Sequence, residues 1–249
     1  MIILKSLQEI DKIRKAGLVV AGVLDSIRDI VRPGVSTLTL DEFAERFIRT
    51  AGAIPAFKGY RGYPKTLCTS VNSEVIHGIP SKDILLKQGD IVSIDVGVII
   101  EGFYGDAAVT LPVGTIAPES ERLIKVTEES LFRGIAEAKA GNRLFDISHA
   151  VQGHVESHGY SVVREYVGHG IGRSLHEDPQ IPNFGEPDQG PRLKPGMVLA
   201  IEPMVNVGGS ATVVKEDHWT AVTADGSLSA HFEHTIAVMP DGPWILTKK

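Results

Sequence analysis

Gly89-Asp-Ile-Val-Ser-Ile-Asp95 and Gly196-Met-Val-Leu-Ala-Ile-Glu202 are one pattern written twice: a glycine, a largely apolar run, and an acid six positions after the glycine. An acid at the end of an apolar strand is costly to bury, so its return at the same offset points to a duplicated chain. Upstream, His77-Gly-Ile-Pro80 is echoed by His169-Gly-Ile-Gly172. The interval from histidine to acid is 18 residues in the first half and 33 in the second, which predicts an insertion of roughly 15 residues holding His176 and Phe184. Inserted loops on a scaffold commonly carry function.

The elements around these runs repeat as well. Apolar spacing predicts a helix over 6–31, opened by a Ser6-x-x-Glu9 capping box and closed by Arg32-Pro33-Gly34, and a second over about 40–51 from Thr39-x-x-Glu42 to Gly52. Strands follow at 66–71, 91–98 and 103–111. The order then restarts with helices over about 118–140 and 145–158 and strands at 161–167, 197–205, 211–216 and 228–238. The reading is an α+β fold in which two similar halves, about 1–112 and 113–249, share a mostly antiparallel sheet. No Pro/Ser/Gly-rich linker divides them, so one domain over 1–249 is expected.

Composition narrows the function. The chain has 249 residues, 25 Lys+Arg against 31 Asp+Glu, a net charge of −6 and 43% hydrophobic residues, a globular profile without the basic footprint of a nucleic-acid binder. A single cysteine, Cys68, excludes an intrachain disulfide framework and a cysteine-based zinc site. Charged residues follow Met1-Ile-Ile-Leu-Lys5 at once, and no run approaches a membrane span of about 20 apolar residues. A soluble cytoplasmic protein is expected.

The acids suggest the chemistry. If the 91–111 hairpin turns about position 100.5, Asp95 and Asp106 face each other across it, with Cβ atoms roughly 4.5–5.5 Å apart. Two facing aspartates are either solvated on an open sheet face or neutralised by a cation. Glu202, matching Asp95, and Glu233, in Ala230-His-Phe-Glu-His-Thr-Ile-Ala237, shift the balance toward the cation. With His169 as a neutral nitrogen, four carboxylates suffice for two divalent ions, and oxygen-dominated ligation favours Mn, Fe or Co. Such a pair, roughly 3.5–4 Å apart, can hold a bridging hydroxide and clamp a tetrahedral intermediate.

Other patterns fall away. Gly168-His-Gly-Ile-Gly172 lacks the glycine and the helix of a dinucleotide fingerprint, with Arg173 at the closing position. His154 and His158 have a metalloprotease spacing without its glutamate and read as surface histidines. No Gly-x-Ser-x-Gly elbow is present, and Cys68 reads as a small packing residue.

Over nearly its whole length the chain resembles the type I methionine aminopeptidases. The stretches that carry the resemblance are Gly59-Tyr-Arg-Gly-Tyr-Pro64, Cys68-Thr-Ser-Val-Asn72, Ile76-His-Gly-Ile-Pro80, Ser93-Ile-Asp-Val-Gly97, Tyr104-Gly-Asp106, Gly168-His-Gly-Ile-Gly172, Leu175-His-Glu-Asp-Pro179, Ala200-Ile-Glu-Pro203 and Phe232-Glu-His-Thr235. The resemblance implies the pita-bread fold, with two halves related by a pseudo-two-fold axis, and removal of the initiator methionine from nascent chains when the second residue is small. It implies two divalent ions (Mn, Fe, Co, Zn or Ni) on Asp95, Asp106, His169, Glu202 and Glu233. It assigns catalytic roles to His77, His176 and Glu202, with Glu202 handling the proton of the attacking water, His176 bonding the substrate amide and His77 assisting the leaving nitrogen.

The resemblance also implies a methionine pocket of Tyr60, Tyr63, Cys68, Phe184 and Trp219 that His77 and His176 complete, and a monovalent cation (Na or K) near Asn72 and Ser229. A monomer with transient ribosome contact is expected, with neither nucleic acid nor membrane as a substrate. The N-terminal zinc extension and the type II insertion are missing, as in the short bacterial or organellar form. His231 stands where the family suggests Gln. Two rivals remain open: a prolidase or aminopeptidase P, which usually carries a large N-terminal domain, and a non-catalytic binding protein on this fold, which would lack metal ligands.

Overall fold

The computed structural model describes residues 1–249. The first half contains α1 (Leu7–Arg28), α2 (Thr37–Thr50), β1 (Ile54–Pro55), β2 (Leu67–Val71), β3 (Glu74–Ile76), β4 (Ile91–Ile100) and β5 (Phe103–Pro112). The second contains α3 (Pro118–Glu137), α4 (Leu144–Ser157), β6 (Ser161–Val162), β7 (Gly168–Gly170), β8 (Glu177–Ile181), β9 (Val198–Ile201), β10 (Met204–Asn206), β11 (Thr212–Val214), β12 (Ala221–Thr223), β13 (Ser229–His231), β14 (Glu233–Met239) and β15 (Gly242–Ile245).

The Ser6 side chain caps α1 and Glu9 returns a bond to the Ser6 N–H, as the capping box predicts. The second helix starts earlier than expected, because Ser36, not Thr39, is its cap and accepts the Thr39 N–H. Ile10, Ile13, Ala16 and Val20 bury one face of α1 against the sheet.

A nine-stranded antiparallel sheet runs β1-β4-β5-β14-β9-β7-β8, with β2 also on β4 and β15 also on β14. Its middle is the contact of β5 with β14, so the two halves meet strand to strand. Outward on one side lie β5, β4 and β2, and on the other β14, β9 and β7. The duplication reaches single hydrogen bonds. Gly89 N–H donates to Val113 O and Gly196 N–H to Val238 O, both at 3.0 Å, with return bonds of 2.9 Å to Asp90 O and 2.8 Å to Met197 O. The two glycines have φ of 94° and 93°.

Three sequence expectations change. The β4–β5 hairpin turns at Glu101-Gly102, both at positive φ as a two-residue primed turn requires, so its centre lies at 101.5. Asp95 therefore faces Ala108 and Asp106 faces Gly97, and the aspartates are diagonal neighbours on the same face. The shift of two residues preserves the face, because side chains alternate with a period of 2. Second, the His77 and His169 echo is not a structural one. β7 holds His169 opposite Ala200 as β2 holds Ser70 opposite Ser93, while His77 follows β3 outside the large sheet. Third, the run 197–205 is interrupted at Glu202-Pro203 into β9 and β10, since proline cannot donate to a ladder.

Candidate metal centre and cleft

Register lines the five predicted ligands up in two neighbouring rows. Gly97, Asp106, Thr235, Ala200 and His169 form one row across five strands: Gly97 pairs with Asp106, the β5–β14 register continued from Ala107/His234 brings Asp106 to Thr235, and Ala200 pairs with both Thr235 and His169. The row beside it, two residues along each strand, holds Asp95, Ala108 and Glu233, and continuing the β9–β14 register past Ile201 brings in Glu202. All five predicted ligands thus share one face, with Glu233 opposite Glu202 and the other positions of the two rows taken by Gly97, Ala108, Ala200 and Thr235, none larger than threonine. Those small residues leave room for atoms between the acids.

The cluster is buried and short of cations. Ligand atoms of Asp106, His169 and Glu233 lie within 4.8 Å of one another. His169 Nε2 is 3.7 Å from Asp106 Oδ2 and 3.5 Å from Glu202 Oε1. Burial, reinforced by neighbouring carboxylates, pushes Asp95, Glu202 and Glu233 well above the ordinary carboxylate range. Burial likewise pushes Asp106 up to about 6, against the Thr235 hydrogen bond. Asp95 Oδ1 is buried with no hydrogen-bond partner. Each unpaired buried carboxylate costs several kcal/mol unless a cation neutralises it.

His169 is prepared for coordination. Its Nδ1–H donates to Gly170 O at 3.0 Å, which leaves the Nε2 lone pair free and aimed at the acids. Burial lowers its pKa to about 4, so the imidazole is neutral at pH 7. Thr235 holds Asp106: its hydroxyl accepts the Asp106 N–H at 3.1 Å and faces Asp106 O at 2.8 Å and Oδ1 at 2.9 Å. An orphaned carboxylate oxygen, a fixed histidine tautomer and an oxygen-rich donor set fit divalent metal.

The acids floor a cleft of about 170 Å³ whose walls include Tyr60, Tyr63, Cys68, His77, His176 and Trp219. The His176 ring lies 4.3 Å from that of His169 between centroids, tilted by 50°, and its Nδ1 is 2.9 Å from the Tyr60 hydroxyl. His77, at a left-handed φ of 61°, meets Tyr166 and Trp219 edge to face. Burial brings both histidines down to about 4, so both are neutral at pH 7. Tyr63 packs edge-on against Trp219 at 5.1 Å, and its hydroxyl is bonded to backbone carbonyls of Leu67 and Gly78.

Phe184 is the predicted pocket residue that the structure keeps out of the cleft. It packs on the core beneath α3 and α4, with the Arg164 guanidinium over its ring at 4.8 Å. The insertion therefore supplies His176 to the cleft and not Phe184. Asn72 and Ser229 are brought together, with Ser229 N–H donating to Asn72 O at 2.9 Å. His154, expected on the surface, is buried, with Nε2 3.2 Å from Glu129. Phe57, Arg61 and Leu175 also line the cleft without having been singled out; Arg61 and Leu175 lie inside two of the stretches that carry the resemblance, whereas nothing in its local sequence marks Phe57. Thr235 was detectable in principle, since it lies two positions after Glu233 and so on the same strand face.

Comparisons with known proteins agree with this geometry. The model of metallopeptidase family M24 matches residues 11–240. A methionine aminopeptidase of Clostridium perfringens is 57% identical over 247 residues, covering 99% of both chains. The crystal structure of methionine aminopeptidase from Thermotoga maritima superposes with a TM-score of 0.99 at 51% identity, covering 100% of each chain. An Xaa-Pro dipeptidase from Bacillus anthracis shares the fold at a TM-score of 0.78 and 23% identity, with this chain covering 62% of its length. The pita-bread fold, the buried acid–histidine cluster and a likeness that runs end to end lead to one assignment: the chain belongs to metallopeptidase family M24, among the methionine aminopeptidases, hydrolases that remove N-terminal methionine.

Proposed function

We propose that Asp95, Asp106, His169, Glu202 and Glu233 hold two divalent ions, drawn from Mn, Fe, Co, Zn or Ni, and that the enzyme removes methionine preferentially before a small second residue. The observation that carries this reading is the pair of adjacent cross-strand rows that gathers all five side chains on one buried face. Divalent ions held there supply Lewis-acid polarisation of a carbonyl and acidify water.

The chain's own groups do the rest. Glu202 takes the proton of the attacking water and delivers it to the departing amine as the C–N bond breaks. His176 is neutral; with the Tyr60 hydroxyl donating to Nδ1, its Nε2–H is left to donate to the substrate amide oxygen. His77 bonds the leaving nitrogen as a neutral imidazole. Tyr60, Tyr63, Cys68 and Trp219 receive the methionine side chain, since aromatic faces and a thiol suit a thioether. Phe184 has no place in this pocket as it stands.

Asn72 and Ser229, joined backbone to backbone, are the site we assign to a monovalent Na or K ion. We read residues 1–249 as one domain, because the large sheet draws strands from both halves. No helix is long and apolar enough to cross a membrane. A cytoplasmic monomer that meets nascent chains through transient ribosome contact is the setting we propose.

The test is methionine release from Met-Ala-Ser and Met-Leu-Ser by metal-free protein, before and after anaerobic addition of Mn, Fe or Co. Metal-dependent release from the first and little from the second is expected. Equal release from both refutes the small-residue preference, and release only from X-Pro peptides refutes the substrate assignment.

A further inference from the structure

Lys5 is buried, an uncommon state for a lysine, and its partner is 172 residues away. Its Nζ donates to Glu177 Oε2 at 2.6 Å and to Ile3 O at 3.1 Å, with the Lys5 and Glu177 side chains 4% and 11% exposed. The other oxygen, Glu177 Oε1, accepts the backbone N–H groups of Arg173 at 2.8 Å and Ser174 at 3.1 Å. Glu177 therefore closes the turn that ends in His176.

The other side of the turn is just as constrained. Lys5 N–H donates to Gly196 O at 2.7 Å, and Tyr104 N–H to Gly172 O at 2.8 Å. A Cβ on Gly172 would stand 2.5 Å from Lys5 Cε and 2.9 Å from Glu177 Oε1, so no side chain fits between the turn and the pair.

From this geometry we infer that Lys5 and Glu177 are positioning residues for His176, with the N-terminal segment acting as a strap over the Arg173–Glu177 turn. The inference rests on the role given to His176 above. A carboxylate this enclosed is tolerated because the ammonium neutralises it. Without Lys5, Glu177 turns toward water, releases the Arg173 and Ser174 amides, and the His176 imidazole leaves its place against His169 and Tyr60. A displacement of about 1 Å at a catalytic group costs roughly 100-fold in rate. Neither Lys5 nor Glu177 lines the cleft, so the loss falls on kcat more than on KM.

The experiment measures Met-Ala-Ser hydrolysis and Mn content for the full-length, Mn-loaded enzyme and for Lys5→Met, Lys5→Arg, Lys5→Met/Glu177→Gln and His176→Ala. Lys5→Met is expected to lose at least about 10-fold in kcat, with KM and Mn content within about threefold of the parent. Lys5→Arg is expected to keep its rate. The double variant is expected to recover most of the loss, because a glutamine oxygen still accepts both amides and no charge is left to expel. A merely structural role lowers the folded, Mn-loaded fraction and leaves kcat per bound Mn unchanged.

The inference is overturned if Lys5→Met retains its kcat, or if the double variant is as slow as Lys5→Met, while His176→Ala is severely impaired. If His176→Ala itself turns over normally, the role of His176 fails instead. Should Lys5→Met not fold, the double variant decides: near-parental kcat supports the strap and a persistent loss overturns it.

Discussion

Replacing Thr235 with valine removes one hydroxyl and almost no volume. That hydroxyl lies where the ladder between β5 and β14 gives way, accepting the Asp106 N–H and facing Asp106 O and Oδ1. In Thr235→Val the Asp106 N–H is buried without a partner and the carboxylate loses the donor that fixes its rotation. A hydrogen bond to a charged acceptor contributes about 1.5–3 kcal/mol, and an outer partner of a metal ligand changes affinity by roughly 10–100-fold, so the two estimates agree. Titration calorimetry of Mn into the metal-free protein at pH 7.5 should show weakening in that range. Thr235→Ser, which keeps the hydroxyl, should stay within about threefold of the parent. Parental affinity in Thr235→Val would refute the argument that Thr235 orients Asp106.

Four further outcomes are expected. Glu233→Ala should lose metal occupancy, whereas His176→Ala should keep metal and lose most turnover; metal analysis beside kinetics separates the two, and normal kcat in both would refute the site. Cys68→Ser should be mild, because burial raises the thiol well above its ordinary value and keeps it protonated; complete inactivation would reveal a chemical role for sulfur. Metal uptake at pH 7 should release protons, since Asp95, Glu202 and Glu233 are raised well above the carboxylate range while His169 is already neutral. Calorimetry in two buffers of different ionisation enthalpy reads this, and zero release contradicts the raised values. The same groups set a pH slope for the metal-free protein. Above about pH 6.5 the depressed histidines no longer contribute, the native state holds carboxylate protons that the unfolded chain has lost, and stability falls as pH rises. A thermal midpoint that climbs from pH 7 to 8.5 without metal would contradict it.

The repeated glycine-to-acid phrase carried the fold because it encodes backbone geometry: both glycines take the same left-handed φ and the same pair of bonds to the end of the neighbouring strand. The gathering of the acids was legible because four acids in apolar strands have few explanations other than a cation. Register was harder to read. Placing the turn at 100.5 instead of 101.5 moved Asp106 by two positions, an error that alternation hid because the face was unchanged. The histidine echo misled for the opposite reason: similar tripeptides sit on different elements, and only the strand pairing separates them. Phe184 was assigned to the pocket through the resemblance, whereas in the structure it packs under Arg164 and outside the cleft, a placement that depends on packing and not on local sequence. The pairing of Lys5 with Glu177 spans 172 residues, beyond any local pattern.

The break at Glu202-Pro203 separates Glu202 from the other proposed ligands. Asp95, Asp106, His169 and Glu233 belong to strands, whereas Glu202 lies in the gap between β9 and β10, its carbonyl accepting the Asn183 side chain at 3.2 Å. Groups proposed only to hold ions gain from immobility. A group that must accept a proton from one molecule and surrender it to another has to exchange partners twice per cycle, and a rigid ladder would resist the small rotations this needs. Proline at the next position stops the ladder at the residue proposed for that task, so Glu202 alone of the five proposed ligands stands outside the strand pairing.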